Sequence, residues 1–70
     1  MHEVKISSEF IKLDQFLKWT GVAESGVDAK YLITEGMVKV NGEVEIRRGK
    51  KLYPGDTVEF EGNIFKVISE

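Results

Sequence analysis

Gly36-Met37-Val38-Lys39-Val40-Asn41-Gly42-Glu43-Val44-Glu45-Ile46 decides the fold. Apolar and polar residues alternate through Met37–Val40 and again through Glu43–Ile46, the period of strands with one buried face. Between them lies Asn41-Gly42, the strongest short hairpin signal, because both residues accept the positive φ of a two-residue turn. Gly36 stops a helix just upstream. That helix opens at Ser25-Gly26-Val27-Asp28, a capping box with aspartate in place of the usual glutamate. Val27, Tyr31 and Leu32 follow at helical spacing, and Ala29 and Ile33 form a second such pair. Earlier still, Leu13, Phe16 and Leu17 recur at helical spacing, Trp19 and Thr20 close the segment, and Gly21 ends it. Asp14 near its start suits the helix dipole. Each helix spans about ten residues, too short to stand alone in water, so both must pack on something.

Val4-Lys5-Ile6 reads as a short strand and Ser7-Ser8-Glu9 as a turn. Beyond the hairpin, Arg47-Arg48-Gly49-Lys50-Lys51 is a basic loop and Tyr53-Pro54-Gly55-Asp56 a turn. Thr57–Phe60 alternates, Glu61-Gly62-Asn63 turns, and Ile64–Ile68 is a last strand. The expected architecture is α+β: two short helices packed on a small, mainly antiparallel sheet, in one domain over residues 1–70.

Composition excludes several chemistries. With 70 residues the chain allows one domain, and a chain of this size buries only about 60% of its unfolded surface. A large enclosed active site is not expected. The 41% hydrophobic and 31% charged residues fit a folded domain rather than a disordered tail. There is no cysteine, and the single histidine is His2, so thiolate sites, disulfides and histidine triads are excluded. No apolar run approaches the roughly 20 residues of a membrane span. The N-terminus lacks a basic region followed by an apolar run, so no signal peptide is expected, and the cytoplasm is the expected location.

Net charge is −2, which by itself argues weakly against nucleic acid, but the charge is polarised. From Lys39 to Lys51 five basic residues stand against two acidic ones; the remainder holds five basic and ten acidic. Arg47, Arg48, Lys50 and Lys51 offer planar forks and point charges suited to phosphate, around a glycine that lets the loop bend or approach a backbone closely. The plain alternative is a solvated loop. Ser25-Gly26 at a helix start caps the helix and could present N–H groups to a phosphate. Lys30 lies about 140° round the helix from that cap, and Lys12 precedes the first helix; either serves equally well as solvated surface. Phe10, Phe16, Trp19 and Tyr31 could stack on bases. The domain needs aromatic residues in its core, so Phe16 is expected to be buried and Trp19 and Tyr31 partly buried. Asp14, Asp28 and Asp56 are explained by a helix start, a capping box and a turn, and no pair of carboxylates demands catalysis.

Lys12-Leu13-Asp14, Gly21, Ser25, Ala29, Leu32-Ile33, Gly36-Met37-Val38, Val40-Asn41-Gly42 and Gly55-Asp56 follow one another in an order that resembles the S4-like RNA-binding domain, the αL motif. The resemblance runs from about Lys12 to Phe60, and Arg47–Lys51 is similar to the small stand-alone bacterial branch, the YbcJ/YaaA type. It implies a non-catalytic module whose helix pair and hairpin put a basic face on structured RNA, ribosomal RNA above all, with a role in ribosome maturation or ribosome-associated function. Carried over by position, the resemblance assigns RNA contact to Lys12, Ser25, Lys30 and Lys39. Gly26 stands where many members have arginine, and Arg47, Arg48, Lys50 and Lys51 are expected to compensate for that lost contact. The implied module acts as a monomer, without cofactor or metal.

Two other classes remain in view. A ubiquitin-like sulfur carrier also has Val-Asn-Gly-Glu and Gly-Asp-x-Val stretches, but needs a C-terminal Gly-Gly where Val67-Ile68-Ser69-Glu70 stands, so it is not expected. A protein-interaction module is the open alternative: Glu24, Asp28, Glu35, Glu59 and Glu61 could face a basic ribosomal protein.

Overall fold

A computed structural model describes residues 1–70. Two helices, α1 (Leu13–Trp19) and α2 (Gly26–Thr34), pack against each other and on a five-stranded sheet. The sheet runs β1 (His2–Ile6), β7 (Asn63–Ser69), β6 (Thr57–Phe60), β3 (Val38–Val40), β4 (Glu43–Val44). A two-stranded ribbon pairs β2 (Ile11–Lys12) with β5 (Lys51–Leu52). The α+β expectation holds, and the sheet is mixed: three pairings are antiparallel, while β1 lies parallel to β7.

The core is a cluster of 13 buried residues, all hydrophobic. Phe16 is fully buried at its centre and meets Phe65 of β7 edge-to-face at 6.3 Å. No helix is long and apolar enough to cross a membrane.

Helix faces differ from the sequence reading. The buried stripe of α2 is Ala29, Leu32 and Ile33, whereas Val27 and Tyr31 face outward, Tyr31 being 59% exposed. Of the two apolar registers available, the fold buries the one with the small residue, Ala29. Trp19 is 68% exposed rather than partly buried. It stands about 200° round the helix from Leu17, off the stripe of Leu13, Phe16 and Leu17.

Ser25 caps α2 and Gly36 ends it as read, but the reciprocal half of the box is shifted. The Ser25 hydroxyl accepts from the Asp28 N–H at 3.1 Å, while the Asp28 carboxylate accepts from the Glu24 N–H at 3.0 Å, one residue earlier than a standard box. Gly36, at φ +75°, ends α2 in a Schellman arrangement: its N–H donates to Ile33 O, and that of Met37 to Leu32 O, both at 3.1 Å.

The hairpin forms at Asn41-Gly42, with φ of 51° and 85°. Its second strand is shorter than the alternation through Ile46 suggested. Glu45 N–H still reaches Val38 O, but the Glu45 carboxylate then turns back onto the Arg47 N–H and draws the chain off the sheet. The basic loop also ends one residue early, because Lys51 belongs to β5. A two-residue strand has no period to read, and its partner is remote in sequence.

Asn41 does more than turn the chain. Its side-chain oxygen accepts from the Thr57 N–H at 2.9 Å, and its amide donates to Asp56 Oδ1 at 3.1 Å. Asp56 Oδ2 in turn accepts from the Tyr53 N–H at 2.8 Å. The Val40-Asn41-Gly42 and Gly55-Asp56 stretches therefore meet in space. Asn41→Gly keeps the turn and deletes this clamp. It is expected to lower unfolding free energy by about 1–3 kcal/mol in urea titrations, since each exposed net hydrogen bond contributes about 0.5–1.5 kcal/mol.

Candidate nucleic-acid interface

The basic residues become a surface because of where the main chain of their loop is anchored. Helix α1 has no side-chain cap: Lys12 occupies the cap position with extended φ and ψ, and makes no capping bond. Carbonyls of the loop do that work instead. Lys50 O accepts from the Leu13 N–H at 2.8 Å, and Arg48 O from the Asp14 N–H at 3.1 Å. Their negative ends face the positive end of the helix, and two orphan amides are satisfied. The loop is closed on itself by the Lys50 N–H donating to Arg47 O at 3.2 Å.

The ribbon continues the anchoring. Ile11 pairs with Leu52, and Lys12 with Lys51. Leu52 is fully buried, so the ribbon turns its lysines outward, and both are exposed. Two like charges opposite one another weaken a strand pair, so fold stability does not explain their presence. Lys51 Nζ lies 4.8 Å from the centroid of the Phe10 ring, and that ring is 5.9 Å from the ring of Tyr53.

Arg47 and Glu45 form the one ion pair of the protein, so Lys12, Arg48, Lys50 and Lys51 have no carboxylate partner. The pair is bidentate, with Nε to Oε2 at 2.9 Å and Nη2 to Oε1 at 3.1 Å, and the Arg47 N–H adds a third bond at 3.1 Å. The Arg47 side-chain hydrogen bonds hold the Glu45 carboxyl at about 2, against an ordinary 4.5, assisted by the Arg47 N–H and by the charges of Arg47 and Lys50. Glu45 pushes the Arg47 guanidinium further up. Half of Arg47's fork is thereby occupied, while Arg48 keeps all of its own. Glu45, Arg47 and Lys50 line a groove of about 290 Å³ with the Asn41–Val44 end of the hairpin.

Lys12, Arg47, Arg48, Lys50 and Lys51 are thus gathered around the start of α1. The other sequence candidates stand on other elements. Lys39 projects from β3 away from buried Val38 and Val40, opposite Glu59 and Val44. Ser25, Gly26 and Lys30 are on α2, and no hydrogen bond or ion pair joins them to the loop. At the Ser25 end the Asp28 carboxylate already sits on a backbone amide, so an arriving phosphate meets negative charge there. Gly49 has no positive φ, and a Cβ added to it would touch nothing within 4 Å. Neither its bend nor internal packing requires glycine.

Glu45 as the partner of Arg47, and Tyr53 beside Phe10, are absent from the sequence reading. A glutamate two residues before an arginine is a weak signal. An aromatic residue beside a basic run, immediately before Pro54, is a stronger one.

A small α+β domain with a helix pair, an Asn-Gly hairpin and a basic edge is the class these features define. The family model for the S4 domain matches residues 4–68, and the chain belongs to that family. It is 48% identical over 67 residues to a Bacillus subtilis (strain 168) protein named "Probable ribosome maturation protein RlbA", covering 94% of each chain. It is 44% identical over 59 residues to the Escherichia coli (strain K12) "Putative RNA-binding protein YbcJ", covering 84% of each. The solution structure of YbcJ from E. coli, described as revealing an αL motif involved in RNA binding, superposes with a TM-score of 0.72. That match has 39% identity and covers 97% of this chain and 87% of the other. The αL architecture expected from the sequence is therefore the one observed.

The Glu45–Arg47 pair has a pH signature. The folded carboxyl sits below its unfolded value, so the pair's contribution is complete above about pH 4.5 and disappears as pH falls towards 2. Carboxyl NMR titration is expected to place Glu45 near 2 in the native chain and higher in Arg47→Ala, where the backbone N–H and the Lys50 charge still lower it. The stability gap between the two proteins should be largest at neutral pH and close at pH 2; because Arg47 is largely exposed, it should be small throughout.

Proposed function

We propose that this chain is a non-catalytic, cofactor-free module that binds structured ribosomal RNA during ribosome maturation. It acts as a cytoplasmic monomer, as one domain over residues 1–70 with its motif core at about 12–60. One observation carries the reading: four cations without carboxylate partners, Lys12, Arg48, Lys50 and Lys51, are held around the start of α1 by main-chain bonds. A main chain held in place loses little further freedom when phosphates arrive, and facing lysines become favourable once an anion lies between them. The names of the B. subtilis and E. coli relatives support RNA and ribosome maturation as the context.

The mechanism is recognition by shape and charge. Phosphates and 2′-hydroxyls of folded RNA lie along the loop and ribbon, and Arg48 is the strongest single contact because its guanidinium is free to fork a phosphate. Lys39, and Ser25, Gly26 and Lys30 on α2, extend the contact only if the RNA wraps beyond this edge. A protein partner fits the surface less well, because the ungathered acidic side chains present no comparable cluster.

With about five phosphate contacts, affinity for purified bacterial ribosomal RNA is expected to fall by about two to three decades over a fourfold rise in salt. Filter binding should show Arg48→Ala lowering the slope of log affinity against log salt by about one, and Arg47→Ala lowering it by less. Crosslinking in cells should concentrate on one ribosomal RNA region. Arg48→Glu, Lys50→Glu, Lys51→Glu together should abolish that peak; an unchanged peak and slope in the triple variant would remove the loop as the site.

A further inference from the structure

The outward face of the ribbon carries more than charge. Strand residues alternate between faces, so Phe10 and Tyr53, one step beyond the Ile11–Leu52 pair, lie on the same face as Lys12 and Lys51. The two rings are 5.9 Å apart and tilted by 48°. One edge of the protein therefore presents a pair of cations and, about 7 Å further along the strands, a pair of aromatic rings.

Neither ring belongs to the core, which is complete without them. Tyr53 is 43% exposed and Phe10 partly buried beneath it. Their main chains are locked. The Tyr53 N–H donates to Asp56 Oδ2 at 2.8 Å, the Asp56 N–H donates back to Tyr53 O at 2.9 Å, and Pro54 follows directly. The Ser8 hydroxyl donates to Phe10 O at 2.8 Å. The Lys51 ammonium rests over the Phe10 ring, which fixes the spacing between charge and π-face. A ligand meeting this edge finds the rings already ordered.

An occupant that satisfies both halves needs negative charge on one side and a flat π-surface on the other. We propose that the Tyr53 ring, backed by Phe10, is a stacking platform for one unpaired base of the bound RNA, with adjacent phosphates on Lys12 and Lys51. This rests on the RNA-binding reading above and narrows it. Paired bases in an A-form helix are stacked inside and unreachable by the rings, so the favoured substrate carries a bulge, loop or junction nucleotide beside its helix.

The test uses two short RNA hairpins of the same stem, one with a single bulged 2-aminopurine and one fully paired, titrated with the full chain at several salt concentrations. The native chain should bind the bulged hairpin about fivefold to about a hundredfold more tightly, and should quench its fluorescence as the base stacks. Tyr53→Leu keeps apolar bulk but removes the π-face. It should erase both the preference and the quenching while leaving the salt slope unchanged. Equal affinity for both hairpins with unchanged fluorescence overturns the platform and leaves phosphate binding intact. A preference that survives Tyr53→Leu but vanishes in Trp19→Leu places the stacked base on the exposed Trp19 ring, and also overturns it. Binding of neither hairpin, or binding that ignores salt, overturns the RNA-binding reading and the platform with it.

Discussion

The amides of Leu13 and Asp14 donate to the carbonyls of Lys50 and Arg48, and the arrangement of the basic edge depends on those two bonds. They join segments about half the chain apart. From the helix side they replace a missing cap, since Lys12 offers none and a helix of 7 residues is not stable alone. From the loop side they fix the path of a basic segment that would otherwise be solvated chain. Because the bonds use carbonyls, the side chains of Arg48 and Lys50 remain available for something else. The β2–β5 ribbon is the same junction continued by one register pair, driven by the burial of Leu52.

Apolar packing and unpaired charge are divided between faces. Every fully buried side chain is apolar, and no polar atom is buried without a partner, so the core makes no demand on the charged residues. The cations at the edge stand close together without carboxylates, except where Glu45 holds Arg47. Like charges opposite one another, as at Lys12 and Lys51, do not stabilise a strand pair. The Glu45–Arg47 pair belongs to both accounts: it ends β4, turns the chain into the loop, and occupies one of the two guanidinium groups there.

Several local features were legible because their physics is local. Asn41-Gly42 takes positive φ at two successive residues, which few dipeptides tolerate, and the hairpin lies where the pattern put it. Ser25 caps α2 and Gly36 ends it, since both act within one turn of helix. The αL resemblance rested on stretches whose meeting could not be foreseen from spacing: Asn41 and Asp56 are bonded to each other, so the two signatures are halves of one clamp. Helix faces were less legible. On α2 two apolar registers compete, and only packing selects Ala29, Leu32 and Ile33 over Val27 and Tyr31.

The sequence alone determined the α+β class, the position of the tight turn and caps, the segregation of positive charge to one stretch, and the absence of cysteine chemistry. Each follows from composition or from forces acting over a few residues. Only the tertiary structure decided that β1 runs parallel to β7, that two-residue strands pair Lys12 with Lys51, and that Phe10 and Tyr53 stand beside them. It also decided that Lys39 projects from β3 opposite Glu59 and Val44. Contacts between remote segments are selected by which side chains can be buried together, here Leu13, Leu52 and their neighbours, and no local period records that choice.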